Sequence, residues 1–97
     1  MILAIDFDGV IHDYKNPLPG RRMGGPIAGA KEALTELQNK GCVIIIHSVW
    51  ASHAMKDFMD FYKLPYDDIT NIKPTADFYI DDKALKFTNW PDILKQI

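Results

Sequence analysis

The sequence has one cysteine, no long apolar run and no surplus of positive charge, and each lack removes a class of protein. Cys42 is alone and cannot close an intramolecular disulfide, so nothing in the chain asks for an oxidising compartment. No stretch approaches the roughly 20 apolar residues of a membrane span. The N-terminal run Ile2-Leu3-Ala4-Ile5 breaks at Asp6, too early for the apolar region of a signal peptide. Eleven basic and 13 acidic side chains leave a formal net charge of −2, so no strong field favours nucleic acid or an acidic membrane. A polyanionic partner would need a local basic patch. Internal repeats and low-complexity segments are also missing. The expectation is one domain over residues 1–97, cytoplasmic and without a membrane partner.

What is present is an alternation of short apolar strands and amphipathic helices. Residues 2–7 read as a first strand. Residues 10–26 read as an irregular flap loop, because Asn16-Pro17, Pro19-Gly20 and Gly24-Gly25-Pro26 are breaker signals. Loops this long in small domains tend to be functional. Ile27, Ala30, Leu34 and Leu37 predict a helix over 27–40, with Glu36 and Lys40 paired across one turn and Gly41 as its stop. Cys42 to His47 is a continuous β-branched run, the pattern of a strand buried on both faces of a parallel sheet. A helix over 51–63 carries Met55, Phe58, Met59 and Tyr62 as an inner stripe. A weak strand falls around 69–72, a clear one at 77–81, and a helical turn at 82–87. Asn89, Trp90 and Pro91 then open a terminal helix with Ile93, Leu94 and Ile97 facing inward. The expected class is α/β: a three-layer, Rossmann-like domain with a small, mainly parallel sheet.

In such sheets ligands bind beyond the carboxyl ends of the strands. That edge collects Asp6 and Asp8 from the first strand, Ser48 from the second, and Asp81 and Asp82 from the last, with Lys73 just ahead of it. Strand alternation turns Phe7 away and sets Asp6 and Asp8 on the same side. Several carboxylates on one rim repel unless a cation compensates them, and a hard divalent ion with oxygen ligands, Mg2+ above all, suits them. Mg2+, an ammonium and a hydroxyl together suit a phosphoryl group.

Asp6-Phe7-Asp8-Gly9-Val10, then Ser48 after an apolar strand, then Lys73, then Tyr79-Ile80-Asp81-Asp82, resembles the four motifs of the haloacid dehalogenase superfamily of phosphotransferases, in that family's order. The run from Lys73 to Asp82 is similar to its compact, capless branch. The resemblance covers residues 2 to about 84. It implies Asp6 as nucleophile through an aspartyl-phosphate, Asp8 as general acid and then base, and Ser48 on the transferring phosphoryl. It also implies Lys73 as the charge that keeps Asp6 ionised, and Gly9 as the turn after the acid. Mg2+ would be held by Asp6, Asp8 through its backbone carbonyl, Asp81, and Asp82 through water. Response-regulator receiver domains use similar residue types, but in a different chain order.

Each residue has a plainer role available. Asp6 and Asp8 could punctuate a turn, Ser48 could cap the next helix, Asp82 could cap a turn, and Lys73 could be a solvated lysine. His12, His47 and His53 show no metal-ligand spacing and read as structural or solvent-facing. Relatives of the compact type often carry a basic residue at the position of Trp50. Trp50 is expected to pack beneath the flap, with stacking on a base or sugar as the alternative. Arg21 and Arg22 either supply the missing charge from the flap or are solvated. With no cap domain the site is expected to be open, to admit a phosphorylated small molecule or the end of a phosphorylated polymer, and to be covered by a second subunit if at all. The expected function is a Mg2+-dependent phosphomonoester hydrolase. The alternatives are a catalytically weak or inactive binding module of the same fold and a phosphatase of nucleic-acid 3′ ends.

Overall fold

The apolar runs pair side by side as strands of one sheet. The computed structural model describes all residues, Met1–Ile97. β1 (Ile2–Asp6) pairs in parallel with β4 (Val43–His47), so that Ile2 faces Val43 and Asp6 faces His47. β6 (Phe78–Ile80) joins the other side of β1, and β5 (Asp68–Thr70) joins the free side of β4. The resulting parallel sheet has the order β5-β4-β1-β6, a small Rossmann-like α/β fold with β1 in the interior. Two aspartates pin strand starts: Asp67 accepts from the Ile44 N–H at 2.7 Å, and Asp77 accepts from the Ile2 N–H at 2.6 Å. Neither role was visible in the sequence.

Alternation sends Leu3, Ile5, Phe7, Ile44 and Ile46 to one face. Leu34 of α1 (Ala30–Asn39) and Met55, Phe58 and Met59 of α2 (Ser52–Phe61) close over that face in one hydrophobic cluster. Each such side chain contributes about 1.5–3 kcal/mol on burial. The other face carries Ala4 and Ile45 within it, while Ile2, Val43 and Tyr79 stay exposed. No helix is long and apolar enough to cross a membrane.

α1 begins at Ala30, not at residue 27. The Ile27 N–H is committed to the Ile11 carbonyl at 2.8 Å, and Gly29 sits at φ 86°, outside the helical region. Its stop is as expected. Gly41 is left-handed at φ 88°, with Gly41 N–H on Gln38 O and Cys42 N–H on Leu37 O, a Schellman closure. The Glu36–Lys40 pair forms at 3.8 Å on the surface, where it adds little.

Residues 10–26 are not irregular. They hold an antiparallel hairpin of β2 (His12–Pro17) and β3 (Gly24–Pro26), pairing His12 with Pro26 and Pro17 with Gly24 around a register shift. The breakers form its turn and its close approach: a side chain at Gly24 would run into the Asp13 carbonyl. Two further expectations at the C-terminal end change. Residues 82–87 contain no helical turn. α3 (Trp90–Gln96) forms behind an Asn89 cap, whose side chain accepts from the Asp92 N–H at 2.9 Å, yet it buries none of its residues. Its expected inward face is exposed at Leu94 and Ile97 and only half-buried at Ile93, because neither α1 nor α2 lies beneath it.

Candidate active site

β1 has β4 on one side and β6 on the other, so the chain crosses over in opposite directions from it. That is the switch point at which a parallel sheet opens a crevice. Asp6 closes β1, His47 lies beside it on β4, and Asp81 and Asp82 follow β6. Carboxylate oxygens of Asp6, Asp81 and Asp82 lie within 4.8 Å of one another. Asp6 is half-buried and accepts from the Phe7 N–H at 2.8 Å. Burial raises its pKa above the ordinary carboxylate value, the neighbouring Asp81 and Asp8 push the same way, and the Phe7 hydrogen bond and His47 oppose the rise.

Asp8 stands outside that trio. Its Oδ1 takes hydrogen bonds from His12 Nε2 at 2.5 Å and Trp50 Nε1 at 2.8 Å, and its Oδ2 takes one from Ser48 Oγ at 3.4 Å. Ser48 is thus not the cap of α2, whose N-cap is Ala51. His12 is completely buried, and the Gly24 N–H donates to its Nδ1 at 3.1 Å. With Nδ1 accepting, the ring proton sits on Nε2 and points at Asp8. Two aspartates separated by one residue therefore occupy different surroundings, one among carboxylates and one among donors.

The four aspartates, His12 and Trp50 line a pocket of about 420 Å³, together with Tyr14, Arg22 and Lys83. Three of its members, His12, Tyr14 and Lys83, escaped the sequence reading. Tyr14 reaches from the hairpin to Asp82 Oδ2 at 3.3 Å, and Lys83 lies with its ammonium 5.0 Å from the centre of the Tyr14 ring. The pKa of Lys83 is raised, first by its contact with the Tyr14 hydroxyl and then by Asp82 and Asp81, so it is a fixed positive charge here. The only sequence signal for His12 was its place four residues beyond Asp8.

Lys73 is not brought to the trio. It makes no ion pair, and its Nζ lies 4.7 Å from the centre of the Tyr79 ring. Arg22 lines the acidic pocket, while Arg21 lines only the neighbouring cavity. Trp50 packs against the core and also forms a wall of both spaces, so the two roles weighed from sequence are not exclusive.

The chain shares its fold with a protein of Bacteroides thetaiotaomicron. That solved structure is described as a conserved protein coded by a locus of this organism; the likeness has a TM-score of 0.69 and 25% identity, and covers 99% of this chain and 88% of that one. No protein-family model and no curated protein matches.

Gly9 is the hinge between the two aspartate environments. It sits at φ 77°, and a side chain there would collide with the Asp82 carboxylate and the Tyr14 ring. Gly9→Ala is expected to lose about 1–2 kcal/mol of stability from the left-handed backbone alone, read as a lower urea midpoint. It is also expected to weaken divalent-ion binding, because Asp82 is displaced. Unchanged values for both would contradict this account of Gly9.

Proposed function

We propose that the protein is a Mg2+-dependent phosphomonoester hydrolase that works through an aspartyl-phosphate on Asp6, a capless member of the haloacid dehalogenase superfamily that its motifs resemble. The observation that carries this reading is the difference in surroundings between Asp6 and Asp8. One carboxylate lies where a cation would balance it, and the other lies among hydrogen-bond donors that aim it into the same pocket.

The donor set suits the ion. Three carboxylates with no sulfur or imidazole among them are hard oxygen ligands, and a cation would relieve the mutual repulsion that Lys83 and His47 offset only in part. Asp6, Asp81 and Asp82 would hold Mg2+, which supplies neutralisation of charge on the phosphoryl oxygens. The protein groups carry the bond changes. An Asp6 carboxylate oxygen attacks phosphorus, the bond from phosphorus to the ester oxygen breaks, and Asp8 gives its proton to that oxygen. Water then attacks the phosphorus of the aspartyl-phosphate, Asp8 takes a proton from it, and inorganic phosphate leaves with Asp6 restored. Arg22 and Lys83, which line the pocket, and Ser48, whose hydroxyl meets Asp8, would be the donors to the phosphoryl oxygens. A phosphorylated small molecule or a phosphorylated polymer end would enter on the hairpin side.

Mg2+ is expected to raise the melting temperature, by the equivalent of about 2.7 kcal/mol once free Mg2+ reaches 100 times its dissociation constant. EDTA should reverse the shift, and Asp81→Asn should remove it. In the metal-free protein the raised Asp6 pKa sets the sign of this residue's own contribution to the pH response. The folded chain holds that proton longer than the unfolded chain, so this contribution is complete below 3.8 and is lost as pH rises through the raised value. No Mg2+-dependent shift in thermal denaturation would remove the metal claim.

One observation favours the rival reading, a non-catalytic module of the same fold: Lys73 stacks on Tyr79 and not against Asp6. A phosphate-release screen with Mg2+, over nucleotides, sugar phosphates and 3′-phosphorylated oligonucleotides, separates the two. Release from at least one ester supports the hydrolase, and release from none supports the module.

A further inference from the structure

Next to the acidic pocket lies a second cavity of about 530 Å³, a size typical of small-molecule sites, which run ~300–1,000 Å³. It opens between the tip of the hairpin and α2. Trp50, Phe58, Phe61 and Tyr62 give it aromatic walls. Trp50 and Arg22 line both spaces. The indole N–H of Trp50 is hydrogen-bonded to Asp8, the residue assigned above to protonate the departing oxygen. Whatever is attached to that oxygen must extend away from Asp8, and this cavity adjoins the acidic pocket through Trp50 and Arg22.

We propose that the cavity is the leaving-group subsite and that it takes a flat aromatic ring, so that the substrates are nucleoside monophosphates or aryl phosphates. This rests on the hydrolase reading for the reaction, but the ring-binding property stands apart from it. Aromatic walls favour a π-face, and they offer a polyol's hydroxyls fewer partners than the water they would lose. Phe61 is 76% exposed and packs edge-on to Tyr62 at 4.9 Å between ring centres, so nothing in the hydrophobic core requires it. Arg21 and Arg22 bring guanidinium planes from the hairpin, which stack on rings and attract further negative charge. Asp57 at the margin offers an acceptor for the ring N–H groups that a nucleobase has and a simple phenol lacks.

The test compares kcat/KM for a nucleoside monophosphate, an aryl phosphate and glycerol phosphate in the wild type and in Phe61→Ala. In parallel, the Trp50 indole N–H signal is followed by NMR while the free nucleoside or the free phenol is added. Both ring esters should exceed glycerol phosphate by about tenfold or more, and Phe61→Ala should cut that ratio by about tenfold, the scale of one lost stacking contact. A nucleoside that outperforms the phenol assigns a base-reading role to Asp57; equal performance assigns the ring alone. Hydrolysis with no ring preference and no change of ratio in Phe61→Ala overturns the subsite and leaves the hydrolase standing. Nucleoside binding at Trp50 that is lost in Phe61→Ala, with no ester hydrolysed, upholds the ring site and overturns the hydrolase.

Discussion

Asp6→Asn is expected to lower turnover of an aryl phosphate by at least about ten-thousand-fold, because an amide cannot serve as the attacking nucleophile. The fold should survive unharmed. Asn is nearly isosteric, and its carbonyl oxygen can keep the hydrogen bond from the Phe7 N–H that Asp6 now accepts at 2.8 Å. Removing the charge also ends repulsion with Asp81 and Asp8 and the cost of partial burial, the influences that raise the Asp6 pKa. The metal-free variant should therefore be as stable as the wild type or more so at neutral pH. This pairing of lost rate with retained or increased stability is the signature of a site held together against its own electrostatics. The measurements are phosphate release and a urea unfolding curve on the same preparation. Full activity would dismiss Asp6 as nucleophile, and a large loss of stability would dismiss the account of its surroundings.

The largest effect on stability is expected at His12, which reads from sequence as one of three scattered histidines. His12→Ala orphans the buried Gly24 N–H, removes the donor to Asp8, and opens a hole beside Phe7, whose ring centre lies 4.7 Å from that of His12. An unpaired buried donor costs about 1–3 kcal/mol and a cavity adds to it, so a loss of about 3 kcal/mol or more is expected. Turnover should also fall about 10–100-fold, since Asp8 loses a donor that aims it and small displacements are costly in rate. Two conservative variants separate these contributions. His12→Asn presents an acceptor near the position of Nδ1 and should recover stability more than rate. His12→Gln presents an N–H near the position of Nε2 and should recover rate more than stability. Urea midpoints and kcat values report the two independently, and identical behaviour of both variants would contradict the division of labour between the ring nitrogens.

His12 shows where sequence legibility ended. β1 and β4 were legible because continuous apolar runs have few alternatives, and the stripe Met55, Phe58, Met59 and Tyr62 because its spacing is helical over about two turns. Asp6, Asp81 and Asp82 were legible as a group because strand ends in a parallel sheet share one edge, and the structure brings them within 4.8 Å. The hairpin was not. β2 reads His-Asp-Tyr-Lys-Asn-Pro and β3 Gly-Gly-Pro, with neither alternation nor a β-branched residue between them. The hairpin is held by side-chain contacts, Gly24 N–H to His12 between its strands and Tyr14 to Asp82 across the fold, that no alternation announces. Lys83 was hidden in the same way, since residues 82–87 read as a helical turn and the structure gives them no helix, with a bend at Asp82 and Lys83 beside the pocket. α3 failed for the opposite reason. Its apolar spacing is real, but amphipathicity states only that a face exists to be covered, and Leu94 and Ile97 remain in solvent. Lys73 occupies the motif position and still lies on Tyr79, because a long flexible side chain answers to the nearest favourable surface.

The most direct test of the central claim is to quench the protein with acid during turnover of a phosphate ester in the presence of Mg2+ and to weigh the peptide that contains Asp6. The account predicts a fraction of that peptide heavier by one phosphoryl group, with the modification on Asp6 and absent when EDTA is added first. Phosphate release with no phosphoryl group on Asp6, or no release from any ester, would contradict it.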